Sequence, residues 1–301
     1  MVTRRRLLQL AGAGLLFAAA VAGYPFLEVL GPPRINRYAF TPRNWTAGLK
    51  LRAAVIADVH ACDPWMSLSR IEGIVRETQA LEADVILLLG DYTTGMNLVL
   101  EQVPSAEWGP ALSKLNAPLG VHAVLGNHDY WEDRRFQHDQ SATPFALAAL
   151  TKAGIATYRN KAVRLEKDGI PFWVAGLDDQ MALLPGRRYG RKSMLGVDDL
   201  DATLAQVTDD APVLMMAHEP DIFRTIPDRV SLTLSGHTHG GQINLFGYRP
   251  WAASLGSRRF PAGYYNLDGR ELIVSRGLGC SAVPIRFGSW PEILLLELGD
   301  A

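Results

Sequence analysis

The stretch LTLSGHTHGGQINLF, residues 232–246, closes an apolar run on two histidines one residue apart, followed by a glycine pair. Histidine is scarce, with 7 in 301 residues, so this pairing at the end of a strand-like run calls for a chemical reason. The same arrangement recurs upstream. AAVIADVH (53–60) ends on Asp58 and His60, VILLLGD (85–91) on Asp91, VHAVLGNHD (121–129) on Asn127, His128 and Asp129, and PVLMMAHEP (212–220) carries His218. Singly, each has a bland reading: a hydrogen-bonded structural histidine, or a Gly-Asp turn. Their polar ends together carry five of the seven histidines. Strands of one sheet bring their carboxyl ends to a common edge, where α/β proteins build their sites.

The residue types suit a centre with two metal ions. Asp58 and His60 are two apart, as are His237 and His239. On extended backbone such pairs point to one face, with Val59 and Thr238 turned away. Imidazole mixed with carboxylate fits manganese, iron or zinc rather than calcium. The glycines around these residues allow sharp turns, and Gly240 and Gly241 are expected to leave room for a phosphate.

Outward from the motifs, the chain alternates strand-like and helical stretches. Apolar residues at helical spacing in SLSRIEGIVRETQALEA precede the run DVILLLGD, and further helices are expected at residues 107–115, in TPFALAALTKAG and in GVDDLDATLAQV. The Asp-Gly pairs in AVRLEKDGIPFWVAG and YYNLDGRELIV mark two hairpins. The expected fold is a layered α/β domain over residues 51–301, with central mixed sheets packed as a sandwich, helices flanking them, and the metal site at the strand C-terminal ends. GPPRINRYAFTPRNWTAGLK has no lasting period and reads as a linker over residues 31–50 that leads into the strand KLRAAVIAD.

Residues 1–30 are different. Arg4, Arg5 and Arg6 lead into an apolar run without charge until Glu28. That is the layout of an export signal, with Ala20-Val21-Ala22 as a cleavage candidate before Gly23. The order Thr3-Arg4-Arg5-Arg6-Leu7-Leu8 is similar to a twin-arginine signal, which addresses a route for folded proteins. An uncleaved membrane anchor is the second reading, since the run is about long enough to span a bilayer. Both place the domain in the periplasm or on the outer face of the cytoplasmic membrane. Lys+Arg 30 against Asp+Glu 31 leaves a formal charge of −1, which lacks the basic footprint of a nucleic-acid partner. Cys62 and Cys280 make no disulfide framework and are expected as separate thiols.

Asp-x-His, Gly-Asp, Gly-Asn-His-Asp, a lone histidine and Gly-His-Thr-His, in this order, resemble the calcineurin-like metallophosphoesterases. SGHTHGGQ, the tail SRGLGCSAVPIRFGSWPEILLLEL and the export signal resemble the bacterial exported or membrane-associated phosphodiesterase branch, some of whose members hydrolyse UDP-2,3-diacylglucosamine in lipid A synthesis. The resemblance implies that Asp58, His60 and His239 hold one metal, Asn127, His218 and His237 the other, and that Asp91 bridges them. It implies His128 as general acid, oriented by Asp129, and attack on phosphorus by a hydroxide shared between the ions. The implied substrate is a small phosphodiester, a lipid or a nucleotide-sugar-lipid, met at a membrane. A departure is Asp-Val-His-Ala-Cys-Asp, where the family more often continues with an aliphatic residue and glycine, so the rim near Cys62 is left open. A protein phosphatase or small-molecule phosphomonoesterase is the second enzyme reading. It is weakened because Gly90-Asp91 continues as Tyr-Thr-Thr-Gly rather than with an Asp-Arg pair. A catalytically silent scaffold is the third reading, and it would be expected to show gaps among the ligands.

Other features have modest readings. His122 is expected on a sheet face and His138 in a solvated loop. The basic loop PGRRYGRKS reads as an exposed charged turn, with contact to anionic headgroups as its functional alternative. Aromatic residues of NLFGYRPWAASLGSRRFPAGYY, among them Phe246, Tyr248 and Trp251, are candidates for an apolar rim facing substrate or membrane. Arg276 and Arg286 are open as phosphate contacts.

Overall fold

Strand Leu51–Ile56 sends Ala53 and Val55 to one face and Ala54 and Ile56 to the other, and both sets are buried. A strand apolar on both faces needs a layer on each side. The computed structural model, which describes residues 3–299, supplies them. One six-stranded sheet runs Arg34–Phe40, Glu292–Leu298, Leu51–Ile56, Val85–Leu88, Val121–Ala123, Ala156–Thr157. The second runs Gly263–Leu267, Arg270–Val274, Leu232–Ser235, Val213–Met216, Ile170–Gly176, Lys161–Lys167. The faces turned towards each other interleave Val55, Leu87 and Leu296 with Val174, Met216 and Leu234. The outer face of the first sheet packs on helices Leu68–Gln79 and Ser105–Leu112 through Ile71, Ile74 and Trp108. Short helical turns cover the second, where Phe223 and Ile226 meet Met215 and Val274. This is the layered α/β sandwich expected from the sequence.

Topology positions the site. Leu51–Ile56, Val85–Leu88 and Val121–Ala123 pair in parallel, as do Val213–Met216 and Leu232–Ser235. All five therefore end at one edge of the sandwich, and these are the five runs that end in metal-binding residue types. Both expected hairpins form, through Asp168-Gly169 and Asp268-Gly269.

The stretch expected as a linker is different. Arg34–Phe40 is an edge strand, paired in parallel with Glu292–Leu298 from Arg34↔Glu292 to Phe40↔Leu298. Its alternation is polar against half-buried rather than polar against apolar, so the period was masked. Helix Arg4–Leu30, capped by the Thr3 hydroxyl, stands bare along most of its length, with Leu8, Leu15, Leu16 and Phe17 exposed. It is long and apolar enough to cross a membrane. Its end behaves otherwise, because Glu28 and Val29 are buried against the domain.

Candidate metal centre

The loops that follow the five strands carry the functional side chains on unusual backbone. Asp58, His60, Asp91, His237 and His239 all have positive φ, at 54°, 48°, 57°, 67° and 50°. The extended geometry expected for Asp58-x-His60 and His237-x-His239 is therefore absent; each pair leaves its strand in a left-handed turn. Val59 and Thr238 are still directed away, and Thr238 donates to the Pro261 carbonyl at 2.6 Å. Such backbone costs on the order of 1–3 kcal/mol per residue and persists where surrounding structure over-determines it. Hydrogen bonds from Asp58 N to Gly90 O (3.0 Å) and His60 N to Asp91 O (2.9 Å) tie two of the turns together. At Gly126 the loops touch so closely that a Cβ would collide with the Asp91 carboxylate and the His218 ring.

Two donor clusters result. Ligand atoms of Asp58, His60 and His239 lie within 4.8 Å of one another, as do those of Asp91, His218 and His237. All six residues are buried. Asp91 stands between the clusters, its Oδ2 lying 3.4 Å from His60 Nε2 and 3.2 Å from His218 Nε2. Asn127 joins the second cluster with Oδ1 2.8 Å from His237 Nδ1. His60 Nδ1 meets the Thr93 carbonyl at 3.0 Å and His218 Nδ1 meets the Leu89 carbonyl at 2.6 Å. A carbonyl accepts only, so each bond keeps the proton on Nδ1 and turns the Nε2 lone pair inward.

These residues fit a pair of cations. Asp58 Oδ2, His218 Nε2 and His237 Nε2 are buried without a hydrogen-bond partner, the last contact of His218 with Asp91 being close but not aligned. Leaving such atoms unmatched costs about 1–3 kcal/mol each. Burial pulls the His60 and His237 rings down to about 3, so both are neutral donors. Burial also pushes the Asp58 carboxyl up to about 7. Burial acts on Asp91 in the same sense, yet the His218 and His128 rings outweigh it and hold its carboxyl well below the usual range. A cation in each cluster would satisfy the orphaned atoms and the anionic charge together.

His128 stands beside the clusters. Its backbone N–H donates to Asp91 Oδ1 at 2.8 Å, its ring lies edge-on to His60, and its Nε2 is 3.2 Å from Ser281 Oγ. Asp129, expected to orient this ring, points elsewhere. Its carboxylate accepts the amides of Asp91 (2.9 Å), Tyr92 (3.0 Å), Thr93 (3.1 Å) and Gly126 (3.0 Å). It holds the Asp91 turn rather than His128. The carboxylate at ion-pair distance from the ring is Glu132, with Oε1 3.5 Å from Nδ1. Sequence reasoning passed over Glu132, although His128 and Glu132 have the i, i+4 spacing that brings side chains together on a helix.

Residues 51–241 match the family described as calcineurin-like phosphoesterase. The chain belongs to this family. The phosphoesterase is 30% identical over 293 residues to the uncharacterized metallophosphoesterase YkuE of Bacillus subtilis (strain 168), covering 95% of this chain and 92% of that protein. It is also 30% identical over 285 residues to an uncharacterized metallophosphoesterase of Aquifex aeolicus (strain VF5), at 94% and 98% coverage. A transmembrane protein with metallophosphoesterase domain from Danio rerio is 27% identical over 296 residues, and there the match spans 95% of this chain but 62% of the relative. The phosphoesterase is a metal-dependent phosphoric ester hydrolase.

The remaining expectations sort themselves around this centre. The phosphoesterase keeps Cys62 and Cys280 as buried free thiols. His122 is a sheet histidine bonded to the Tyr158 hydroxyl (2.7 Å) and the Leu119 carbonyl (2.8 Å). His138 is exposed but ends a short helix, Arg134–His138, instead of lying in a loop. Arg191 of the basic loop binds Gln137 and the Leu184 carbonyl. Arg286 is fully buried and bonded to protein carbonyls, and Arg276 pairs with Glu292 at 2.6 Å, so neither is free for phosphate. A Cβ on Gly240 would press on Ser289 and one on Gly241 on Arg249, while the Gly241 backbone lines a cavity.

Proposed function

We propose that the enzyme is a phosphodiesterase or pyrophosphatase of the cell envelope whose substrate carries an apolar group, as a phospholipid or a UDP-diacylglucosamine-like molecule does. The observation that carries this reading is a cavity of about 420 Å³ beside the donor clusters, with His239 and Ser281 on one wall and Trp251, Ala253 and Val283 on another. Next to it Leu245, Phe246, Tyr248 and Leu255 are exposed, the first and third closing a small hairpin. Ile243, just before that hairpin, bridges to Phe287, and Phe287 packs edge-on against Tyr24 of the bare apolar helix. Apolar hairpin, cavity and helix thus adjoin, as a bilayer-facing site would require. The twin-arginine-like start supports export, with cleavage at Gly23 or retention as an anchor both compatible with this arrangement.

Asp58, His60 and His239 would hold one ion, Asn127, His218 and His237 the other, with Asp91 shared; manganese, iron and zinc suit the donors. Two ions there supply water of lowered pKa and neutralise charge on phosphoryl oxygens. His128 belongs to neither set, and its protonated ring donates to the departing alkoxide. Its Nε2 faces Ser281, which lines the cavity, so the leaving group departs on the apolar side. Glu132 steadies the protonated ring, and Asp129 keeps the Asp91 turn in place.

The test compares full-length wild type and Trp251→Ala on bis(p-nitrophenyl) phosphate in solution and on a phospholipid diester in liposomes. The expected result is about a tenfold loss on liposomes, the scale of removing one buried apolar anchor, with the soluble diester unaffected. A wild type that prefers soluble monoesters to every lipid diester refutes the lipid assignment in favour of the phosphomonoesterase reading.

A further inference from the structure

A helix that is bare and apolar over most of its length carries one fully buried carboxylate. Glu28 is 1% exposed, and its two oxygens accept the backbone amides of Gly288 (2.9 Å) and Ser289 (3.1 Å). The same helix turn accepts Arg286 N on the Pro25 carbonyl at 3.2 Å and sets Tyr24 against Phe287. The turn at residues 286–289 is thus gripped from the helix side at four consecutive positions.

Its other side grips the metal centre. Ser289 Oγ donates to the His239 carbonyl at 2.6 Å, and the Arg286 guanidinium packs beside the His239 ring. Arg286 has no exposure at all; its Nη2 meets the carbonyls of Arg276 and Gly277, its Nε that of Gly279 and its Nη1 that of Ser289. A buried guanidinium held chiefly by carbonyls is stable only while those carbonyls stay in register, because an unmatched buried charge is costly. Gly240, next to His239, sits where any Cβ would meet Ser289 Oγ, so the contact has no slack. His239 itself holds left-handed backbone at φ 50°, a geometry that needs outside support.

We propose that Glu28 is a positioning residue for the first metal cluster: through the 286–289 turn it fixes His239. The inference rests on the reading of Asp58, His60 and His239 as one ion site. It makes the last turns of the apolar helix a part of the catalytic domain, and cleavage before Gly23 would leave them on the mature chain.

The test is Mn²⁺ titration of the full-length apo-protein in detergent, followed by electron paramagnetic resonance, which separates a lone Mn²⁺ from a coupled pair. Wild type should take up two ions as a coupled pair. Glu28→Ala should bind one as tightly as wild type and the other about 10–100-fold more weakly, the usual cost of losing an outer-shell partner. Glu28→Gln, which keeps one acceptor oxygen, should fall between them and carries the test if the alanine variant does not fold. Coupled-pair formation at wild-type Mn²⁺ concentrations in either variant, with only a lower thermal midpoint, overturns the proposal. A wild type that forms no pair overturns instead the two-ion reading beneath it.

Discussion

Behind the Asp91, His218 and His237 cluster stand short loops that leave the strands directly. The Leu89 carbonyl fixes His218, and Asp129 gathers four amides around the Asp91 turn. All of these residues lie inside the span that matches the family. Behind the Asp58, His60 and His239 cluster stands something more distant: Arg286 and Ser289 from the tail, the first held by the Pro25 carbonyl and the second by Glu28 near the other end of the chain. Asp58 also leans on the tail, its carbonyl accepting Gly279 N at 2.7 Å. The difference teaches that local motif geometry builds one half of the centre, whereas the other half adds to it a closure by residues 28 and 279–289.

Asp91→Ala should erase this contrast and have the largest effect. Its Oδ2 is within 3.4 Å of an imidazole of each cluster, so its loss removes an anionic donor from both. Elemental analysis should find both ions lost, and activity should fall more than about 10³-fold, beyond the usual effect of removing a single stabilising group. One ion retained at full occupancy would show that the clusters are independent and that Asp91 serves only one.

His128→Ala probes a group that belongs to neither cluster. Both ions should remain, and turnover of a diester with an alkyl leaving group should fall by about 10²–10⁴-fold, the contribution of a general acid. A p-nitrophenyl leaving group needs little proton assistance and should lose far less. Equal losses on both substrates would mean that the His128 ring supports the clusters, through its packing against His60, rather than the chemistry.

The second cluster was legible in the chain because its residues end apolar runs, and parallel pairing then does the rest: five strand ends, one edge. The ligands of the first cluster were legible for the same reason, but their support was not. Glu28 and Ser289 are separated by 261 positions, and no local pattern links a carboxylate in an apolar helix to a turn at the far end. The assignment of Asp129 to His128 failed for a geometric reason. On the helix Asn127–Trp131 neighbouring residues diverge by about 100°, so Asp129 turns to the loop amides while Glu132, one turn on, meets the ring. The strand Arg34–Phe40 was hidden because an edge strand with one wet face needs little apolar alternation. Both pairs are brought to the donor clusters, but their left-handed backbone was not foreseen, since only the packed loops enforce it.

Glu132→Gln should give the smallest effect, and it sharpens the role of the ring beside the clusters. Burial pulls the His128 pKa down, but Asp91 and then Glu132 outweigh it, so the ring sits above the ordinary histidine value. A group raised in this way stays protonated to higher pH and loses its proton only as pH climbs through the raised value. Removing the Glu132 charge takes away part of that support, so the alkaline limb of kcat/KM for an alkyl diester should move to lower pH. At pH well below the ordinary histidine value the ring is protonated in both proteins and the rates should agree. Above that, the variant should be slower by a few-fold only, because the Glu132 side chain is 35% exposed and solvent screens the pair. The limb measured with a p-nitrophenyl diester should not move, since that departure needs no proton. A shift of both limbs by the same amount would place the effect of Glu132 on the metal clusters instead of on the acid.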